Sequence, residues 1–84
     1  MKFSDLYIGQ EERMSARFSM EQVKAFASVT QDFNPVHLDP VYAGQTIFKG
    51  NIVHGFLVGS LFSTILGTKM PGEGSIYLKQ NMNF

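Results

Sequence analysis

Eighty-four residues carrying seven basic and seven acidic side chains and no cysteine bound the chain to one small domain with a shallow core. Disulfide scaffolds and thiolate metal sites are excluded, and the scattered Lys2, Arg13, Arg17, Lys24, Lys49, Lys69 and Lys79 form no nucleic-acid patch. Met1-Lys2-Phe3 has no leader-like apolar run, and Ile52 to Leu66 falls short of the ~20 residues of a membrane span, so the expectation is a soluble, cytoplasmic domain.

Glu12 to Phe18 alternates, with Met14, Ala16 and Phe18 opposite Arg13, Ser15 and Arg17, the period of a half-buried strand. Ser19 then reads as an N-cap, and Gln22 three positions later completes a capping box. Met20, Val23, Phe26 and Ala27 share one helical face, which predicts a short amphipathic helix to about Thr30. Asn34-Pro35 breaks it, because proline disfavours the α region for the residue before it. Asp39-Pro40 predicts a second, brief helix with aspartate as cap and proline at its first position, and Gly44 to Gly50 reads as loop.

From about His54 to Leu66 the pattern is apolar nearly all round, through Phe56, Leu57, Val58, Leu61, Phe62, Ile65 and Leu66. Such a helix is expected to be buried on most sides. Gly55, Gly59 and Ser63 form a stripe of small residues along it, and Gly67 and Pro71-Gly72 are expected to end it. Ile76, Leu78, Met82 and Phe84 alternate with Tyr77, Lys79, Asn81 and Asn83, which predicts a second strand. Two strands do not cover a central apolar helix. The expectation is therefore a single domain over 1–84, α+β in class, that is incomplete at its C-terminal side.

The chemistry concentrates in Asp32-Phe33-Asn34-Pro35-Val36-His37. A carboxylate and an imidazole five positions apart across a proline-stiffened turn can share one water molecule in a dry cleft. Addition of water to a double bond needs a base for the water and an acid for carbon. Taken singly, Asp32 could be a turn residue and His37 a surface histidine; together they point to catalysis. Asn34 either makes a local turn or orients Asp32 or His37. His54 before Gly55 either packs or orients the loop, with a proton-transfer role the lesser reading. Gly55 opens a helix whose first N–H groups are unsatisfied and suit an anionic oxygen. Ser63 either bonds back to the preceding turn or fixes the reacting end of a ligand. A metal held by Asp32, His37 and His54 is possible in principle, but two histidines without helical pair spacing are a weak ligand signal.

Asp32-x-Asn34-Pro35-x-His37, preceded by Phe26-Ala27-Ser28-Val29-Thr30, resembles the hydratase-2 motif of the MaoC-like dehydratases. Leu38-Asp39-Pro40, Ile52-Val53-His54-Gly55-Phe56-Leu57 and Gly72-Glu73-Gly74-Ser75-Ile76-Tyr77-Leu78 continue the likeness in the same order, and it is similar above all to bacterial (R)-specific enoyl-CoA hydratases that feed polyhydroxyalkanoate synthesis. The resemblance implies a hot-dog fold, a long helix wrapped by an antiparallel sheet, working as a homodimer. It implies reversible hydration of trans-2-enoyl-CoA to (R)-3-hydroxyacyl-CoA, without metal or redox cofactor. In that reading Asp32 and His37 activate water, Gly55 offers its N–H to the thioester oxygen, and Ser63 is a further active-site position. The sequence departs from the pattern in its length and at Asn51, where relatives often carry proline or arginine. Two other readings stay open: an acyl-carrier-protein dehydratase on the same fold, and a truncated, inactive association module.

Overall fold

A computed structural model describes residues 1–84, which form two compact units. The first, Ala16–Val58, holds the helices that carry the motif. Helix α1, Met20–Thr30, starts as its capping box dictates: the Gln22 N–H donates to the Ser19 hydroxyl at 3.2 Å, and the Ser19 N–H to the Gln22 side-chain oxygen at 2.8 Å. Val23 and Ala27 are its buried positions. Ser19→Ala is expected to cost about 1 kcal/mol of stability, read as a lowered urea midpoint.

The end of α1 aims the motif. Gln31 adopts a left-handed conformation, φ 65°, and its N–H closes on the Ala27 carbonyl at 2.8 Å. The chain thereby leaves the helix one residue before Asp32. Asn34 then caps α2, Pro35–Leu38, its side-chain oxygen accepting from the Val36 N–H at 3.2 Å. Asp39 caps α3, Pro40–Gly44, accepting from the Val41 and Tyr42 N–H groups at 2.9 and 3.1 Å. Both short helices have proline at the start, where its missing N–H leaves no hydrogen bond unmade. α2 packs against α1 and α3, and Ala43 joins Val23 and Ala27 as the buried apolar core.

The second unit comprises Met1–Ser15 and Gly59–Phe84. Helix α4, Gly55–Thr68, contributes its residues from Gly59 onward. It ends two residues beyond the expected Leu66, in a turn where the Lys69 and Met70 N–H groups both donate to the Ile65 carbonyl at 2.9 Å. Gly72, at φ +86°, allows its own N–H to reach the Leu66 carbonyl at 3.0 Å. Side chains other than glycine rarely tolerate such a dihedral.

Two expectations are corrected. Neither 12–18 nor 76–84 is a strand: both lack helical structure, but no ladder of backbone hydrogen bonds pairs them. Alternation marks which side chains suit a sheet, whereas a strand exists only when a neighbouring strand satisfies its N–H and C=O groups. Nor is α4 buried on most sides. Phe56 is 71% and Phe62 56% exposed, and Gly59 is its one buried residue. With no sheet formed, most of the helix's apolar circumference stays uncovered.

Gly59 sits against the end of Met82: an added Cβ would stand 2.7 Å from its Cε and 2.9 Å from its Sδ. A thioether end swings aside readily, and alanine is favoured over glycine in a helix by about 1 kcal/mol. Gly59→Ala is therefore expected to shift stability by less than about 1 kcal/mol. A much lower denaturation midpoint would mean that Met82 is locked in place.

Candidate active site

The site is built from three loop-to-helix junctions of the first unit. Asp32 follows α1, His37 lies in α2, and His54 immediately precedes α4. A carboxylate oxygen of Asp32 and one ring nitrogen from each of His37 and His54 all lie within 4.8 Å of one another. Residues 22 positions apart are thus brought together by the fold. The two imidazoles are buried, while Asp32 is exposed. The expected dry cleft is accordingly corrected: in this chain the carboxylate faces water.

Backbone carbonyls fix the histidine tautomers. The Nδ1 of His37 lies 2.8 Å from the Ile52 carbonyl oxygen. A carbonyl only accepts, so this nitrogen carries hydrogen and donates, which in the neutral ring leaves Nε2 with the free lone pair. His54 is arranged the other way: its Nε2–H donates to the Asp32 carbonyl at 3.1 Å, and its buried Nδ1 has no hydrogen-bond partner. The two rings stack, centroids 3.8 Å apart and planes 27° apart. Phe26 of α1 meets His54 at 4.9 Å, tilted by 57°.

Around them the backbone is tied down. The Val36 carbonyl accepts from the Ile52 N–H at 3.2 Å and from the Asn51 side-chain amide at 3.1 Å. These bonds hold α2 against the segment that leads into α4. Ile52 and Asn51 were not among the sequence candidates. The Ile52 contribution is a main-chain carbonyl, which no side-chain pattern announces.

Of the other candidates, Asn34 spends its side-chain oxygen on the α2 cap, as a turn residue does. Its main chain also meets Asp32, its N–H donating to the Asp32 carboxylate at 3.3 Å. Gly55 is the first residue of α4. Ser63 stands eight residues further along α4, exposed and in the second unit.

The same carboxylate and imidazoles are the groups a metal would use. A metal lies near the plane of each ligating imidazole at ~2.1 Å from nitrogen. Rings stacked with centroids 3.8 Å apart and planes inclined by only 27° face each other rather than a shared point, which disfavours both as ligands of one ion. A water molecule held by two groups at once asks for a comparable separation. Two hydrogen bonds of ~2.8 Å from one water, opened to a near-tetrahedral angle, span about 4.5 Å, which is close to the 4.8 Å limit of this cluster.

The Asp32 carboxylate thus lies within 4.8 Å of a ring nitrogen of His37, whose tautomer the Ile52 carbonyl fixes. The chain belongs to the MaoC-like domain family, whose model matches residues 7–84. It is 51% identical over 84 residues to the (R)-specific enoyl-CoA hydratase of Aeromonas caviae, covering 100% of this chain and 63% of that protein. It is 40% identical over 82 residues to the 3-hydroxybutyryl-CoA dehydratase of Methylorubrum extorquens, covering 98% of this chain and 52% of the relative. Among solved structures it resembles the (R)-hydratase from A. caviae involved in PHA biosynthesis, with a TM-score of 0.91 and 53% identity over 94% of this chain and 60% of that one. The chain therefore spans between 52% and 63% of the length of these relatives. No helix is long and apolar enough to cross a membrane.

Proposed function

We propose that the protein is an (R)-specific enoyl-CoA hydratase, a hydro-lyase that reversibly adds water to trans-2-enoyl-CoA. The single observation that carries this reading is the approach of the Asp32 carboxylate and a His37 ring nitrogen to within 4.8 Å. Similarity to the A. caviae hydratase over the whole chain supports the substrate class.

In the proposed reaction one water donates its two O–H groups to the Asp32 carboxylate and to His37 Nε2. Its oxygen bonds to the β-carbon as the acid–base pair takes one of its protons. The double-bond electrons move toward the thioester, and the pair returns the proton to the α-carbon, so that H and OH are both accounted for. Negative charge gathering on the thioester oxygen is met by the N–H of Gly55 at the start of α4, where the helix dipole favours an anion. One such donor is worth roughly 100- to 1,000-fold. Ser63 is proposed to help fix the reacting end of the substrate.

The reading needs no metal or redox cofactor, since CoA belongs to the substrate. It places this chain in a hot-dog α+β domain whose antiparallel sheet would cover the exposed faces of α4, in a homodimeric cytoplasmic enzyme. Supply of hydroxyacyl units to polyhydroxyalkanoate synthesis is the proposed role, from the description of the A. caviae structure. The test is hydration of crotonyl-CoA by the purified protein, followed as loss of the enoyl thioester's ultraviolet absorbance, with chiral analysis of the product. Formation of the (S) isomer, or no hydration, would overturn it.

A further inference from the structure

The hydration chemistry uses Asp32 and His37 but gives no task to the most deeply buried titratable side chain. His54 is 2% exposed, and both its ring face and its edge are engaged. Its face stacks on His37 at 3.8 Å, with Phe26 against the same ring at 4.9 Å. Its Nε2–H reaches across 22 residues to the Asp32 main-chain carbonyl at 3.1 Å. Its own carbonyl accepts from the Leu57 and Val58 N–H groups, at 3.0 and 3.1 Å, so it is also bonded into the first turn of α4. One residue thereby touches all three junctions that supply the proposed site.

We infer that His54 is a positioning residue that sets the separation of the Asp32 and His37 functional groups. The inference rests on the hydratase reading and goes beyond it. The ring is the platform against which His37 keeps its Nδ1–H on the Ile52 carbonyl, and the Nε2–H pins the turn that carries the Asp32 carboxylate. Because a side chain has one face and one edge doing different jobs, the two are separable by substitution. Glutamine places an amide N–H near the Nε2 position but has no ring. Phenylalanine supplies a ring but no donor. A misplacement of about 1 Å costs on the order of 100-fold in rate, so both changes should act on turnover rather than on substrate affinity.

The experiment compares the unsubstituted chain with H54Q and H54F by ¹⁵N NMR of the His37 ring at mildly alkaline pH, and by kcat and KM toward crotonyl-CoA. In H54Q the His37 signals should move from a single Nδ1–H tautomer toward an average of the two. In H54F that tautomer should persist, while exchange of the Asn34 amide, bonded to the Asp32 carboxylate, speeds up. Both variants should lose about 10- to 100-fold in kcat with KM within a few-fold. An unchanged His37 tautomer in H54Q together with wild-type kcat in both variants would overturn the inference. If H54Q does not fold, H54F decides alone: unaltered Asn34 exchange and kcat refute the pinning role. A chain that hydrates nothing but still gives the split NMR response would sink the hydratase reading and leave the positioning role of His54 standing.

Discussion

Asp32→Asn is expected to lower crotonyl-CoA hydration by about 100-fold or more, with the loss in kcat. The substitution is chosen because it preserves what Asp32 does structurally. Its carboxylate accepts from the Asn34 N–H at 3.3 Å, and an amide oxygen accepts that bond equally. The Nε2–H of His54 goes to the main-chain carbonyl of residue 32, which no side-chain change removes. Asp32 is also exposed, so its replacement leaves no cavity and strands no buried group. What disappears is the acceptor that can hold a proton: an amide NH₂ presents hydrogens where the water needs a lone pair. The denaturation midpoint should stay close to that of the unsubstituted chain, and KM should change little. Turnover within a few-fold of normal would take Asp32 out of the reaction.

The parts of this molecule legible in sequence are those written in local side-chain-to-backbone bonds. Ser19 with Gln22 and Asp39 before Pro40 each specify a helix start within three residues and form as expected, whereas Asn34-Pro35, read only as the break after α1, also starts the short α2. Asp32 and His37 were legible because the proline turn between them restricts how far apart they can lie. The His37–His54 stack was not, since seventeen positions and a loop separate the rings and the Ile52 carbonyl that holds one of them has no side-chain signature. Gln31 was missed for a related reason: a left-handed residue that is not glycine carries no compositional mark. The alternating segments 12–18 and 76–84 illustrate the reverse case. Their periodicity states a preference for a pleated surface, but pairing is a property of two segments. The exposed apolar side chains of α4 follow from the same gap, because burial of a helix face depends on what is laid against it.

His37→Asn is expected to abolish hydration by a similar factor of about 100 or more while leaving the chain folded. An asparagine side-chain nitrogen falls near the position of the imidazole Nδ1, so the variant can still donate to the Ile52 carbonyl, 2.8 Å away in the native site. The bond joining α2 to the approach of α4 survives, supported by the Val36 carbonyl and its two donors. Nothing then occupies the Nε2 position, which in the proposed reaction holds the water and shares its proton. His37→Gln makes the opposite exchange, placing an amide near Nε2 and abandoning Ile52. It should be inactive too, since an amide takes no proton from water, and less stable by about 1 kcal/mol for the lost buried hydrogen bond. Urea titration and kcat measured on the pair therefore separate the chemical role of the imidazole from its structural one. Hydration retained in His37→Asn would show that Nε2 handles no proton, whereas equal stability in both variants would mean that the Ile52 contact does not hold α2 in place.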